Sequence, residues 1–168
     1  MDDTKGNATL LTFRLASDKY ALRVSAVQEV LEYSEPTNIP GTSDVLAGVI
    51  NVRGRVIPVI DLRHRLGLPA GEPSVESGII VAEVQSGEGE IAGLIVDAVE
   101  GVIEIDEAEI DAAPRLGSRI AAELIDGIAK TGDSFTVLLR AERLITDEAA
   151  HSLRNAEESK LPADASSS

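Results

Sequence analysis

Cysteine is absent from this 168-residue chain, which removes disulfides, Cys-ligated zinc and a thiol nucleophile from consideration. Tryptophan is absent as well, and two Phe and two Tyr make up an aromatic content of only 2%. The core must therefore be built from Val, Ile, Leu and Ala, and its β-branched share favours sheet over helix. No apolar run exceeds a few residues, and the N-terminus, Met1-Asp2-Asp3, is acidic. Neither a membrane span nor a signal peptide fits, so a cytoplasmic chain without direct membrane contact is expected.

Positive charge is also scarce. The net charge is −14, and the first seven and last eighteen residues hold only five acids and three bases, leaving 24 acids against 12 bases in residues 8–150. The acidity thus belongs to the body of the protein and not to a tail. Such a surface repels phosphate backbones and anionic headgroups, which excludes nucleic acid as the expected partner. Arginine outnumbers lysine 11 to 4, a bias that a salt-rich cytoplasm and a high-GC genome would both produce.

What is present is a series of short apolar runs divided by turn residues. Residues 9–15 (TLLTFRL) and 19–24 (KYALRV) form an expected hairpin around Ala16-Ser17-Asp18. Residues 27–33 (VQEVLEY) fit either a helical turn or a strand, 35–43 contain Pro36, Pro40 and Gly41 and read as loop, and 44–47 read as a helical turn. The stretch GVINVRGRVIPVID (48–61) reads as a strand pair with an arginine at its turn, followed by a short helix at 62–66 stopped by Gly67. After a turn-rich connector, 78–84 and 91–96 make a second hairpin and 99–105 a half-buried strand. Residues 107–122 read as loop or broken helix, 123–130 and 134–139 as a third hairpin, and 141–150 as a terminal helix. Polar residues 1–7 form an expected flexible arm, and 151–168 an expected disordered tail.

The two halves of the chain echo one another. LRVSAVQEV (22–30) aligns with LIVDAVEGV (94–102) at an offset of 72, and LLTFRL (10–15) with IIVAEV (79–84) at 69. Leu46 to Val49 aligns with Ile125 to Ile128 at 79, and Gly54 with Gly132 at 78. Several matches in one order at nearly one offset indicate a duplication: two small β units, each too small to be comfortably stable alone, packed together. On this alignment Asn51-Val52-Arg53 faces Lys130-Thr131, so the first unit is expected to carry one extra turn residue.

No catalytic constellation emerges. His64 and His151 stand apart from other ligand-type residues, there is no GxSxG motif, and Gly48 and Gly54 lack a phosphate-loop pattern. No enzyme activity, metal or cofactor is expected.

The run LAGVINVRGRVIPVIDLR (46–63) resembles the signature of the CheW family of chemotaxis coupling proteins. VQEV (27–30), IVDAVEGV (95–102) and LIDGIAKTGDSFTVLL (124–139) resemble further family segments in the family's order. The resemblance covers roughly residues 8–150, with Val52 standing where leucine is frequent. It implies a mainly all-β fold of two SH3-like five-stranded β-barrel subdomains side by side, with short helices and a C-terminal helix. Their expected extents are about 8–75 and 76–150, with interleaving left open. It further implies an adaptor that bridges chemoreceptor cytoplasmic tips to the regulatory domain of the histidine kinase CheA, at membrane-bound receptor arrays. The same fold occurs within CheA and CheV, joined to kinase or receiver domains.

Carried over by residue, Val27 and Glu29 are groove or receptor-side contacts, Gly48 is close-packed backbone, and Asn51, Arg53 and Gly54 form the signature turn. The plainer reading of Val27 is core, of Gly48 and Gly54 turn geometry, and of Arg53 a local ion pair with Asp61 or Glu29. The alternative function is a generic small β-barrel binding module for another ligand. The acidity and the scarcity of aromatics weigh against a nucleic-acid ligand.

The charge imbalance generates a prediction. Twelve uncompensated negative charges repel across residues 8–150, and salt screens them over about 3 Å at 1 M. The melting temperature is expected to rise between low and molar potassium chloride; a flat profile in a thermal scan would remove the case for salt adaptation.

Overall fold

The computed structural model describes residues 6–40, 46–85, 90–112 and 122–144. Strands β1 (Asn7–Leu15) and β2 (Asp18–Arg23) form a hairpin, followed by β3 (Val27–Glu32). The hairpin of β4 (Leu46–Val52) and β5 (Arg55–Asp61) leads into α1 (Leu62–Arg65). Then come β6 (Gly78–Gln85), β7 (Glu90–Val96), β8 (Ala98–Asp106), the two-residue β9 (Ile110–Asp111), β10 (Ile125–Thr131) and β11 (Ser134–Leu139). Single 3₁₀ turns lie at Val24–Ala26, Glu107–Glu109, Ala122–Leu124 and Ala141–Arg143.

The strands form two sheets, β8-β1-β2-β11-β10-β9 (sheet I) and β3-β6-β7-β5-β4 (sheet II). The mainly-β class and the paired-subdomain architecture expected from sequence are what the structure shows. Both sheets follow one plan. A hairpin (β1–β2 or β6–β7) takes an antiparallel strand on its first member (β8 or β3), and its second member pairs in parallel with the end of another hairpin (β11 or β5). The repeat in sequence is thus a repeat in topology. The halves are interleaved: β1 and β2 of the first join β8 to β11, while β6 and β7 of the second join β3 to β5.

Three apolar clusters explain this arrangement. Ala8, Leu10, Ala21 and Leu138 fill the interior of sheet I, and Ile57, Val81 and Ile91 that of sheet II. The largest cluster lies between them, with Leu11, Phe13, Leu15, Tyr20 and Leu22 from one side meeting Ile80, Ala82, Leu94, Val96 and Ile60 from the other. The inner hairpins are therefore buried on both faces and read as nearly continuous apolar runs, whereas outer strands β3 and β8 keep a two-residue alternation. Phe13 and Tyr20, half of the chain's aromatics, stack across β1–β2 with centroids 6.2 Å apart.

Several expectations need correction. The two matching turns have equal length: Val52 pairs with Arg55 and Thr131 with Ser134, so Arg53-Gly54 and Gly132-Asp133 are both two-residue turns. Aligning the glycines displaced the register by one, because glycine occupies the second turn position in one hairpin and the first in the other. Leu46 and Ala47 open β4 and are not part of a helical turn, and residues 44–45 lie outside the described residues. Where the C-terminal helix was expected to begin, Ala141–Arg143 forms one 3₁₀ turn that tucks Leu144 into the shared core. The rest of that segment, the tail, residues 1–5 of the arm and residues 113–121 lie outside the described residues. Residues 27–33, left open between helix and strand, form β3 through Glu32.

Gly48 illustrates why the repeat demands particular residues. It sits at a register shift in β4 with φ +149°, and a Cβ there would overlap the Thr37 carbonyl, lying 2.7 Å from its carbon. Thr37 and Val49 exchange backbone hydrogen bonds of 2.8 and 2.9 Å beside it. Gly127, its counterpart in β10, would place a Cβ 2.8 Å from the Asp111 oxygen of β9. Gly48→Ala is expected to lower stability by about 2–3 kcal/mol through combined strain and overlap, measured by denaturant unfolding. A loss under about 0.5 kcal/mol would show that the 36–37 loop yields freely.

Candidate partner-binding surface

Four of the six residues expected at the site gather around one hairpin turn. Asn51 closes it locally, its Oδ1 accepting the Gly54 N–H at 2.9 Å. Arg53 and Gly54 both have positive φ, +52° and +83°, the pattern of a type I′ turn whose twist suits a β-hairpin. That conformation suits glycine or asparagine, and an arginine in it carries a steric cost. From this position the Arg53 guanidinium reaches across to β3 and pairs with Glu29. Of the two partners the sequence offered, Asp61 is engaged elsewhere, capping α1 by accepting the Arg63 N–H at 3.1 Å.

The other two residues support this surface from behind. Val27 is half-buried and packs against the shared core. A register shift between Val27 and Glu29 turns the next residues around, so that Leu31 meets the interior of sheet II. Gly48 fixes the 36–37 loop against β4 and offers no side chain.

The reading of the sequence missed two exposed apolar residues on the strands that carry the ion pair and its turn. Val30, next to Glu29 on β3, is 44% exposed, and Val56, paired in register with Asn51, is 52% exposed. The duplication could have flagged them. At the offsets of 72 and 79, Val30 corresponds to Val102 and Val56 to Phe135, which are 61% and 64% exposed in sheet I. The same offsets place Gly101 opposite Glu29 and Gly132 opposite Arg53. Both units therefore expose apolar side chains at corresponding positions, and one of them adds an ion pair where the other has glycines.

A cleft of about 620 Å³ lies elsewhere, lined by Tyr33, Glu35, Asn38, Asp61, Arg63 and Asp97 among others. None of the six candidate residues lines it. Its one strongly held cation is Arg63, which the hydrogen-bonded Asp97 carboxylate keeps above the ordinary arginine range against the opposing effect of burial. Arg65, half-buried on the same helix, is pushed below that range by burial. Among the described residues no group of three or more His, Cys, Asp or Glu is arranged to hold a metal ion, and no helix is long and apolar enough to cross a membrane. His64 is exposed on α1, and His151 lies outside the described residues.

Comparison with known proteins gives this geometry a family. The model of the CheW-like domain matches residues 9–149. The chemotaxis protein CheW of Bacillus subtilis (strain 168) is 33% identical over 150 residues, covering 89% of this chain and 94% of its own. The CheW of Rhizobium meliloti (strain 1021) is 30% identical over 145 residues, 86% of this chain and 92% of its own. Among solved structures, the scaffolding protein TtCheW from Thermoanaerobacter tengcongensis superposes with a TM-score of 0.77 at 38% identity, over 84% of this chain and 90% of that one. With the matched region spanning both interleaved sheets and the arginine-bearing turn, the chain belongs to the CheW family of chemotaxis scaffold proteins.

Proposed function

We propose that the protein is a noncatalytic adaptor that couples the cytoplasmic tips of methyl-accepting chemoreceptors to the regulatory domain of the histidine kinase CheA. In this reading it works in the cytoplasm, is recruited to membrane-bound receptor arrays, and contacts neither nucleic acid nor lipid itself. The Glu29–Arg53 turn, flanked by Val30 and Val56 and seated on Val27 and Gly48, is one docking surface. Exposed apolar residues together with an arginine are the residue types enriched at binding hot spots.

The observation that carries this reading is the backbone of Arg53. A non-glycine residue at φ +52° costs about 1 kcal/mol or more. The pair it makes is with a side chain 73% exposed on the arginine's side, and such surface pairs contribute about 0–1 kcal/mol. The local gain does not exceed the local cost, and the matching turn dispenses with both by using Gly132 and Gly101. An arginine retained against local preference is accounted for by what it does for a partner.

Two variants test this. Arg53→Glu is expected to keep the melting temperature within a few degrees of the parent but to abolish receptor-dependent activation of CheA. Arg53→Gly relieves the backbone and is expected to be at least as stable as the parent, yet to bind its partner roughly thirtyfold more weakly, the equivalent of about 2 kcal/mol. Normal kinase activation by either variant in a reconstituted receptor–kinase assay would remove Arg53 from the coupling surface.

A further inference from the structure

Between β7 and β8 the chain crosses from sheet II to sheet I, and the residue at the crossing is Asp97. Its carboxylate serves both sheets at once. Oδ2 accepts the N–H of Ala16, in the β1–β2 turn of sheet I, at 2.6 Å. The same carboxylate takes the fork of Arg63 from α1, which follows β5 of sheet II: Nε lies 3.2 and 3.1 Å from its two oxygens and Nη2 lies 2.6 Å from Oδ2. Arg63 also donates through Nη1 to the Pro69 carbonyl at 3.0 Å. At 19% and 22% side-chain exposure, both members of this ion pair are more enclosed than those of the other described pairs. Ala16 is the second non-glycine residue at positive φ, +56°, a conformation that its hydrogen bond to Asp97 helps to maintain.

The opposite flank of α1 is tied differently. Arg65 donates to the carbonyls of Leu144 and Arg143, beyond β11 of sheet I, at 2.6 and 2.9 Å. Between the two ties, Leu62 and Leu66 are sunk in the shared core. That core is apolar and packs the sheets together, but its individual contacts are non-directional. Charge-assisted hydrogen bonds are directional. The duplication adds a control within the chain: at the offsets of 72 and 79 the counterparts of Asp97 and Arg63 are Ser25 and Glu142, which cannot form an ion pair. The clamp exists on one flank only, beside the 620 Å³ cleft.

We propose that Asp97 is a positioning residue whose carboxylate latches the two sheets at a fixed angle, with Arg65 as the pin on the far flank. Releasing the latch leaves the Arg63 guanidinium to the Pro69 carbonyl and the water of the cleft it lines, and unties the Ala16 turn from α1. The sheets then swing about the Arg65 pin. The angle sets where the Val30–Arg53 surface of sheet II stands relative to the Val102–Phe135 surface of sheet I, so the latch governs how two partners are held on one body. It concerns the free chain and does not depend on which partners those are.

The absence of cysteine lets the angle be read directly. Nitroxide labels on Glu104→Cys in β8 and Arg55→Cys in β5, both exposed positions, report the separation of the sheets by pulsed electron-spin resonance. The parent is expected to give one narrow distance distribution. Asp97→Ala and Arg63→Ala are expected to broaden it and shift it to longer distance while far-UV circular dichroism stays the same. Glu76→Ala, which removes the exposed Arg14–Glu76 tie, is expected to leave the distribution unchanged. Should Asp97→Ala fail to fold, Asp97→Asn keeps an acceptor for Ala16 while losing the charge, and is expected to broaden the distribution to a lesser degree. A narrow, unshifted distribution in folded Asp97→Asn and Arg63→Ala would overturn the latch, even with a lowered melting temperature. Equal broadening from Glu76→Ala would overturn it too, because the effect would then be general loosening.

Discussion

The hairpins β1–β2 and β6–β7 have to cover apolar side chains on both of their faces, and this constraint organises the molecule. Leu10 and Ala21 point into the interior of sheet I while Leu11, Phe13, Tyr20 and Leu22 point out of it, toward the other sheet. Val81 and Ile91 likewise fill sheet II while Ile80, Ala82 and Leu94 face outward. A sheet whose outer face is as apolar as its inner one is unstable alone in water, so neither unit can be completed without the other. Exchange of strands follows from the same requirement. Each inner hairpin takes β3 or β8 from the opposite half, so the chain crosses between the sheets twice, near Ala26 and at Asp97.

Duplication then gives the protein two copies of one surface and room to make them differ. Topology, register shifts, close-packed glycines and exposed apolar positions recur at fixed offsets: Gly48 with Gly127, Val30 with Val102, Val56 with Phe135. Divergence falls on charge. Sheet II pairs Glu29 with Arg53 where sheet I has Gly101 and Gly132, and only one flank of the shared core carries the Asp97–Arg63 clamp. Polar side chains at the rim alter recognition without disturbing packing, whereas changes inside a close-packed core are felt throughout it. In the proposed adaptor role, a body with two related but unlike faces suits two unlike partners.

Much of this was legible in the sequence, because turn chemistry and apolar runs are local signals. Most of the strands, the short helix stopped before Gly67 and the repeat follow from residue order, whereas β3, the start of β4 and β9 did not. Strand exchange was not legible, since a hairpin buried on both faces reads alike whichever neighbour covers it. The equal length of the two turns was hidden for a different reason: glycine serves different turn positions in the two copies, so matching glycine to glycine shifts the register by one residue. The pairing of Arg53 was narrowed to Glu29 or Asp61 from sequence, and the choice between them depended on the bulge in β3 and on Asp61 acting as a helix cap. Val30 and Val56 escaped notice because a valine on a strand carries no mark of which face it occupies; only their exposed counterparts in the repeat reveal it.

The excess of arginine over lysine, which composition alone could assign to salt or to codon usage, has a structural cause as well. Five of the eight arginines among the described residues each join two acceptors, mostly on different elements. Arg14 spans Glu76 and Glu100, Arg23 spans Glu107 and Asp126, and Arg140 reaches the Ile125 carbonyl and Asp126. Arg63 and Arg65 do the same on either side of α1. A planar guanidinium with five donors in a fixed fork holds two partners at a defined angle, whereas a lysine ammonium is a single point on a flexible stem. In a chain with few bases, two interleaved sheets and no disulfide, that geometry makes these five arginines joints of the fold. Acids also populate the surface, where Glu100, held by Arg14, and Glu104 flank the exposed Val102. The same shortage of positive charge that leaves the exterior acidic therefore concentrates arginine at the seams.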